Sequence, residues 1–245
     1  MTFERSATPP AEPGPAPVGG GPAATPTPVQ IRLQILSTEH WSLLASRSLA
    51  WNESFSRAGM YLSTLTGAMV ALGLIAGVSG FNDAFFVFAL VILPVALFVG
   101  VGTWLRMGAT NYHDAVTVSG MNRIRGAYLE IAPDLEPYFV MGVHDDAPGI
   151  GITMAVPPGT AQLVHLIAGT PTLVMVLNAV VSGATVALAL MHFSSAEGGI
   201  AVVAALVVAI FALALQLRIA RRNIRRLQGT VQPMFPTPPG DRTGA

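Results

Sequence analysis

Two short strings place imidazole beside carboxylate: His113–Asp114 and His144–Asp145–Asp146. Imidazole nitrogen and carboxylate oxygen together ligate Zn, Fe or Mn, and a bound metal can activate water. His40, from a third segment, could complete such a set. The spacing argues against it, because neither string puts two histidines one helical turn apart. The plainer roles for these residues are surface loop, helix cap or buried polar contact. Other chemistries have less to work with. No cysteine occurs, which removes thiolate ligands, thiol nucleophiles and disulfides. The stretch PGIGITMAVPPG (148–159) has glycines but neither a G-x-G-x-x-G turn nor a phosphate-loop lysine, and no G-x-S-x-G elbow exists. No catalytic constellation and no cofactor are assigned, and the chain reads as a non-enzyme. His113, Asp114, His144, Asp145 and Asp146 stand as the candidates should a metal bind.

The elements that carry these residues are membrane helices. Only 11% of the 245 residues are charged, far below the quarter or so usual in soluble domains. No Asp, Glu, Lys or Arg falls in 58–82, 84–105, 147–196 or 198–217. A hydrocarbon core about 30 Å thick needs about 20 helical residues. Four transmembrane helices follow, at 58–78, 85–105, 171–191 and 200–217, forming two hairpins. The fold class is an all-α membrane protein with amphipathic helical extensions in the cytoplasm. Arg57, Arg106 and the five arginines from 218 to 226 flank one side of the spans, and the hairpin loops carry none. Arginine stays in the cytoplasm, so both termini and the central segment are expected inside. All thirteen basic residues are Arg, a bacterial coding bias, so the membrane is expected to be a bacterial plasma membrane. Trp51, Tyr61 and Trp104 fall where interfacial anchors sit.

Within the spans, small residues recur at helix-packing intervals: Gly59, Ser63, Gly67 and Ala71, then Gly73 and Gly77, with Gly183 in the third span. Such residues permit close backbone approach where lipid offers no hydrophobic drive. They are expected to hold the bundle together within one chain rather than between chains. TGAMVALGL (66–74) returns as SGATVALAL (182–190) with six identities in nine, which raises a duplication at an offset of 116 residues. Asn178 is read as the strongly polar side chain inside the membrane, and no carboxylate, Arg or His lies there. That argues against a pump or an ion-coupled carrier.

The remaining segments divide as follows: a disordered leader (1–28), a cytoplasmic helix leading into the first hairpin and its extension (29–132), an acidic connector (133–170), the second hairpin with a basic helix (171–228), and a disordered tail (229–245). Val29, Leu33, Leu36, Leu43, Leu44, Trp51 and Phe55 make one helical stripe that includes His40 and Arg47. Ile31 and Ile35 also fit a strand alternation, so 29–36 is open between helix and strand. Thr117, Met121, Ile124, Tyr128 and Ile131 make a second stripe ending before Pro133. The two stripes are expected to pack on each other. Short helices are placed near 133–141 and 160–170, around the loop GVHDDAPGIG. Arg218, Arg221, Arg222, Arg225 and Arg226 suit anionic lipid headgroups. They could instead dock on segment 107–170, whose six acids and two arginines give net −4.

TEHWSLLASRSLAWNESFSRAGM, GMNRIRGAYLE, EPYF and HDD resemble a group of uncharacterised bacterial multi-pass integral membrane proteins, over roughly residues 35–225. The resemblance implies a membrane location and no activity. A cytoplasmic helix feeding a hairpin is loosely similar to SLATT-type membrane effectors. Three function classes remain: a membrane-embedded interaction or regulatory module, which leads; a subunit of an oligomeric channel or pore; and a metal-dependent membrane enzyme. The lipid bilayer is the expected partner, with a homo-oligomer possible and no nucleic acid.

Overall fold

The computed structural model describes residues 27–154, 169–194, 197–230 and 232–238, with backbone alone over 224–230. Among them all regular structure is helical: α1 (Pro28–Ser79), α2 (Asp83–Ile131), a 3-10 turn (Pro133–Tyr138), α3 (Ala147–Thr153), α4 (Thr170–Phe193) and α5 (Gly198–Thr230). Four of these are long and apolar enough to cross a membrane. The four spans read from the sequence lie inside α1, α2, α4 and α5. The leader before Thr27 and the expected helix near 160–170 fall outside the described residues, apart from Gly169 and Thr170.

Helix α1 settles the open segment 29–36 as helix. Thr27 caps it reciprocally: its hydroxyl accepts from Gln30 N while Gln30 Oε1 accepts from Thr27 N at 2.7 Å. Pro28 in the first turn suits a position whose N–H has no helical partner. The helix then runs 52 residues to Ser79, about 78 Å at 1.5 Å per residue. Gly80 ends it at φ 67°, a conformation that glycine adopts without a Cβ clash. Asn82 restarts the chain, its side chain accepting from Phe85 N at 3.2 Å. Helix α2 continues through Pro94 for 49 residues until Pro133 stops it.

Each long helix therefore joins a membrane half to an extramembrane half, and α1 and α2 pair along both. The seam on α1 reads Leu36, His40, Leu43, Arg47, Trp51, Ser54, Ala58, Tyr61, Leu65 and Ala68, each buried or half-buried. The 4-3 spacing is that of two helices wound together. Thr117, Met121, Ile124 and Tyr128 answer it from α2, so the two stripes expected to meet do so. In the membrane, α2 packs on α4 and α4 on α5, so α1 and α5 flank a row. The core holds Ala58, Tyr61, Leu65, Leu93, Ala96, Trp104, Met107, Val174, Met175 and Val181.

The small-residue expectation is corrected by this arrangement. A Cβ added at Gly59, Gly67, Gly73 or Gly77 would meet nothing within 4 Å, and Ser63 is exposed as well. These residues line the outer side of α1, with Ala71 half-buried beside them. In lipid both faces of a helix are apolar, so size alone cannot tell which one is used. Gly183 behaves as expected: a Cβ there would lie 2.5 Å from the Ala205 carbonyl oxygen. Gly67 is its counterpart at the 116-residue offset, so the repeated phrase does not occupy equivalent packing positions. Tyr61, read as an interfacial anchor, is fully buried at 0% exposure.

Candidate functional site: a tail clamp at the stalk end

The extramembrane halves of α1 and α2 form a stalk, stitched by polar contacts. Glu53 binds Arg106 through both oxygens, at 2.5 and 3.1 Å, and also Arg57. Both arginines hold its carboxyl below the ordinary range, Arg106 foremost. Further along, Arg47 Nε reaches Asp114 Oδ1 at 2.6 Å, and Trp51 Nε1 donates to the same oxygen at 3.0 Å. Asp114 is buried, so its charge is spent on fastening α1 to α2. His113 faces Ser46 at 3.3 Å. Arg32 and Glu130 pair at the far end, at 3.2 Å and well exposed.

His144, Asp145 and Asp146 lie near that far end, where the connector folds back along α2. Asn122 Nδ2 donates to the His144 carbonyl at 2.7 Å. Arg125 Nη1 donates to Asn122 Oδ1 at 2.8 Å, and Thr153 Oγ1 donates to the same atom at 2.8 Å. Asp146 is the N-cap of α3, accepting from Gly149 N at 3.2 Å. That helix lies in a stretch read from sequence mainly as a loop. Close approach shapes the turn, because a Cβ at Gly149 would collide with the His144 carbonyl.

The chain's last described segment, Gln232–Pro238, seats on this loop. Asp145, with its side chain fully buried, accepts from Met234 N and Phe235 N at 2.9 Å each and from Arg123 Nε at 2.6 Å. Its own N–H donates to the Phe235 carbonyl at 3.2 Å. Arg123 Nη2 donates to the Gln232 carbonyl at 2.9 Å. Asp146 accepts from Thr237 N at 2.8 Å and from Thr237 Oγ1 at 2.7 Å. The Phe235 ring lies beside Gly126, 3.4 Å from where a Cβ would stand. Burial alone would raise both carboxyls. The N–H donors of Met234, Phe235 and Thr237, the Thr237 hydroxyl and Arg123 reverse that and hold both below the ordinary value.

This clamp corrects the reading of 229–245 as a disordered tail. Residues 229 and 230 end α5, Gln232–Pro238 are docked, and 239–245 lie outside the described residues. Docking of the arginines themselves on the acidic connector is a separate contact. The tail does meet the acidic connector, but through backbone N–H groups beyond the arginines. Arg218, Arg221 and Arg222 stay exposed, while the side chains of Arg225 and Arg226 are outside the described residues. The two imidazole–carboxylate strings stay apart, Asp114 engaged by Arg47 and Asp145 by Arg123. Among the described residues no three His, Asp or Glu side chains gather to hold a metal.

A polar centre inside the membrane half was not foreseen from sequence. Asn178 Nδ2 donates to Gln216 Oε1 at 3.4 Å, and Gln216 Nε2 to the Met175 carbonyl at 3.4 Å. Gln216, one residue from the end of the fourth span, thus joins Asn178 as a strongly polar side chain within the spans. Gly100 admits the cluster, since a Cβ there would collide with Asn178 Oδ1 and lie 2.6 Å from the Tyr61 ring. On the stalk side a cleft of about 390 Å³ is lined by Trp51, Trp104, Asn111, Asp114, Pro171 and Asn223, among others. Compared with known proteins, the chain matches no family model, no curated protein and no solved structure.

Proposed function

We propose that this chain is a membrane-embedded interaction module of the bacterial plasma membrane, working through its stalk by pairing with a second copy along α1. The stalk and both termini are cytoplasmic in this reading, on the strength of Arg57, Arg106 and the arginines after the fourth span.

One observation carries the reading. Outside the membrane, α1 leaves large apolar side chains in water, with Trp41 67% and Leu49 70% exposed. Lipid cannot cover them there. Ile31, Leu49 and Gly67 are successive at eighteen-residue spacing, five full turns, so they fall on one line of the helix. The bare stripe of Gly59, Ser63 and Gly67 continues that face into the membrane. A partner covering both halves must itself be a helix that leaves the membrane unbroken. α1 has that form, and the face from 58 to 78 carries no charge to repel its like. Copies in one membrane share an orientation, so α1 would meet α1 in parallel about a two-fold axis.

The absence of cysteine makes the test clean. Leu49→Cys and Gly67→Cys, made singly, are expected to give disulfide-linked dimers in native membranes, because paired α1 helices bring the Cα atoms within about 7 Å. Leu65→Cys, on the buried α1–α2 seam, should stay monomeric. Failure of both outer positions to cross-link would end the pairing reading.

A further inference from the structure

We propose that the clamp is a peptide receptor that also works between molecules, taking an extended aromatic–Pro–Thr segment of a partner protein in place of the chain's own tail. The proposal goes beyond the pairing of α1, since the clamp is built from α2 and the connector.

The clamp reads mainly the backbone of the tail. It uses backbone groups at four tail positions: the carbonyls of Gln232 and Phe235 and the N–H groups of Met234, Phe235 and Thr237. It skips position 236, which is proline and has no N–H to offer. Among the described residues, side-chain selection falls on the Phe235 ring beside Gly126 and the Thr237 hydroxyl on Asp146. Proline restrains itself and the residue before it to extended backbone, so such a segment loses little freedom on docking. Main-chain hydrogen bonds for attachment and a few side-chain contacts for choice are how extended peptides are recognised elsewhere.

The receptor half has hydrogen bonds of its own that do not involve the tail. Asn122 fixes the His144 carbonyl and is itself held by Arg125 and Thr153, while Asp146 caps α3. The tail half is attached almost wholly by polar contacts. Gln232, Pro233, Met234, Pro236 and Pro238 are exposed, Met234 by 69%. A segment that buries so little apolar surface stays put because it is tethered. Only residue 231 separates it from the end of α5, and a short tether supplies an effective concentration of about a millimolar. Weak intrinsic affinity therefore suffices for the tail, and a free peptide reading the same atoms competes once its concentration or affinity is high enough. Such a peptide need only offer an aromatic residue, then proline, then threonine, in extended form.

The test uses the full chain in lipid nanodiscs and a synthetic peptide, Gln-Pro-Met-Phe-Pro-Thr-Pro, as the partner segment. The tail variant Phe235→Ala/Thr237→Ala should free its own tail, seen as faster motion of a spin label at a Met234→Cys site. The labelled peptide should then bind that variant at least tenfold more tightly than it binds the unaltered chain. Adding Asp145→Asn and Asp146→Asn to the tail variant should remove the gain. A tail that stays seated in the variant, or leaves while the peptide still fails to bind, would overturn the proposal. Equal binding with and without the two Asn substitutions would do the same.

Discussion

Asp145 is a carboxylate that burial disfavours, while Met234 N–H, Phe235 N–H and Arg123 favour its charge more strongly. Its value is depressed below the ordinary 3.8, so the linkage has a definite sign. Clamping is complete above the ordinary carboxylate value and is lost as pH falls through the depressed one. Tail mobility should therefore be flat through neutral and mildly acid pH and rise only in strong acid. Asp145→Asn should loosen the tail at neutral pH, costing about 2 kcal/mol for the charged hydrogen bonds it weakens; the label at position 234 reads both. His40 has the opposite chemistry. Burial, and then Arg125, lower it from 6.5, while Tyr128 stacks on its ring at 6.4 Å. The closed seam thus disfavours the imidazolium, with Arg47 a further cation on the same face of α1. Its stability is whole above 6.5 and declines as pH falls below that value toward the lowered one. Amide protection in 36–47, taken relative to the intrinsic exchange rate at each pH, should be weaker at roughly pH 5 than at roughly pH 8, and His40→Leu should flatten the difference.

Among the elements, packing rather than composition separates two glycines that the sequence presents alike. Gly183→Ala pushes a methyl into the Ala205 carbonyl on α5 and should destabilise the second hairpin by about 1–3 kcal/mol. Gly67→Ala has open space and should leave monomer stability within about 0.5 kcal/mol while weakening Leu49→Cys cross-linking. Thermal unfolding in detergent measures the first pair of effects and cross-link yield the last. The same contrast shows what could be read in advance. Lipid demands long apolar runs, so all four spans and the stop at Pro133 were legible. The stalk stripe through Thr117, Met121 and Ile124 was legible because water lies on its other side. Inside lipid that polarity contrast vanishes, and the seam of Ala58, Leu65 and Ala68 could not be told from the bare stripe beside it. Asp145 and Asp146 drew attention as residue types, but their role stayed hidden. Their partners are backbone N–H groups of a proline-rich tail, which leave no mark in side-chain spacing.

On the scale of the molecule, α1 and α2 leave the membrane half without a break and stay zipped to the far end by Glu53, Asp114 and the Arg32–Glu130 pair. The stalk part of α1, residues 28–57, reaches about 45 Å at 1.5 Å per residue. Two stiff rods fastened together make a lever whose fulcrum is the bilayer surface. Membrane helices relieve a mismatch in hydrocarbon thickness by tilting. A change of roughly 10°, well inside the range such helices adopt, would sweep the stalk tip by about 8 Å. In paired chains the distance between labels at the two Arg32 positions should accordingly differ between short-chain and long-chain lipids, while labels at Gly59 move little. Unbroken helix through Arg57 in α1 and Arg106 in α2 thus makes bilayer thickness a mechanical input that is amplified at the end of the chain farthest from the lipid.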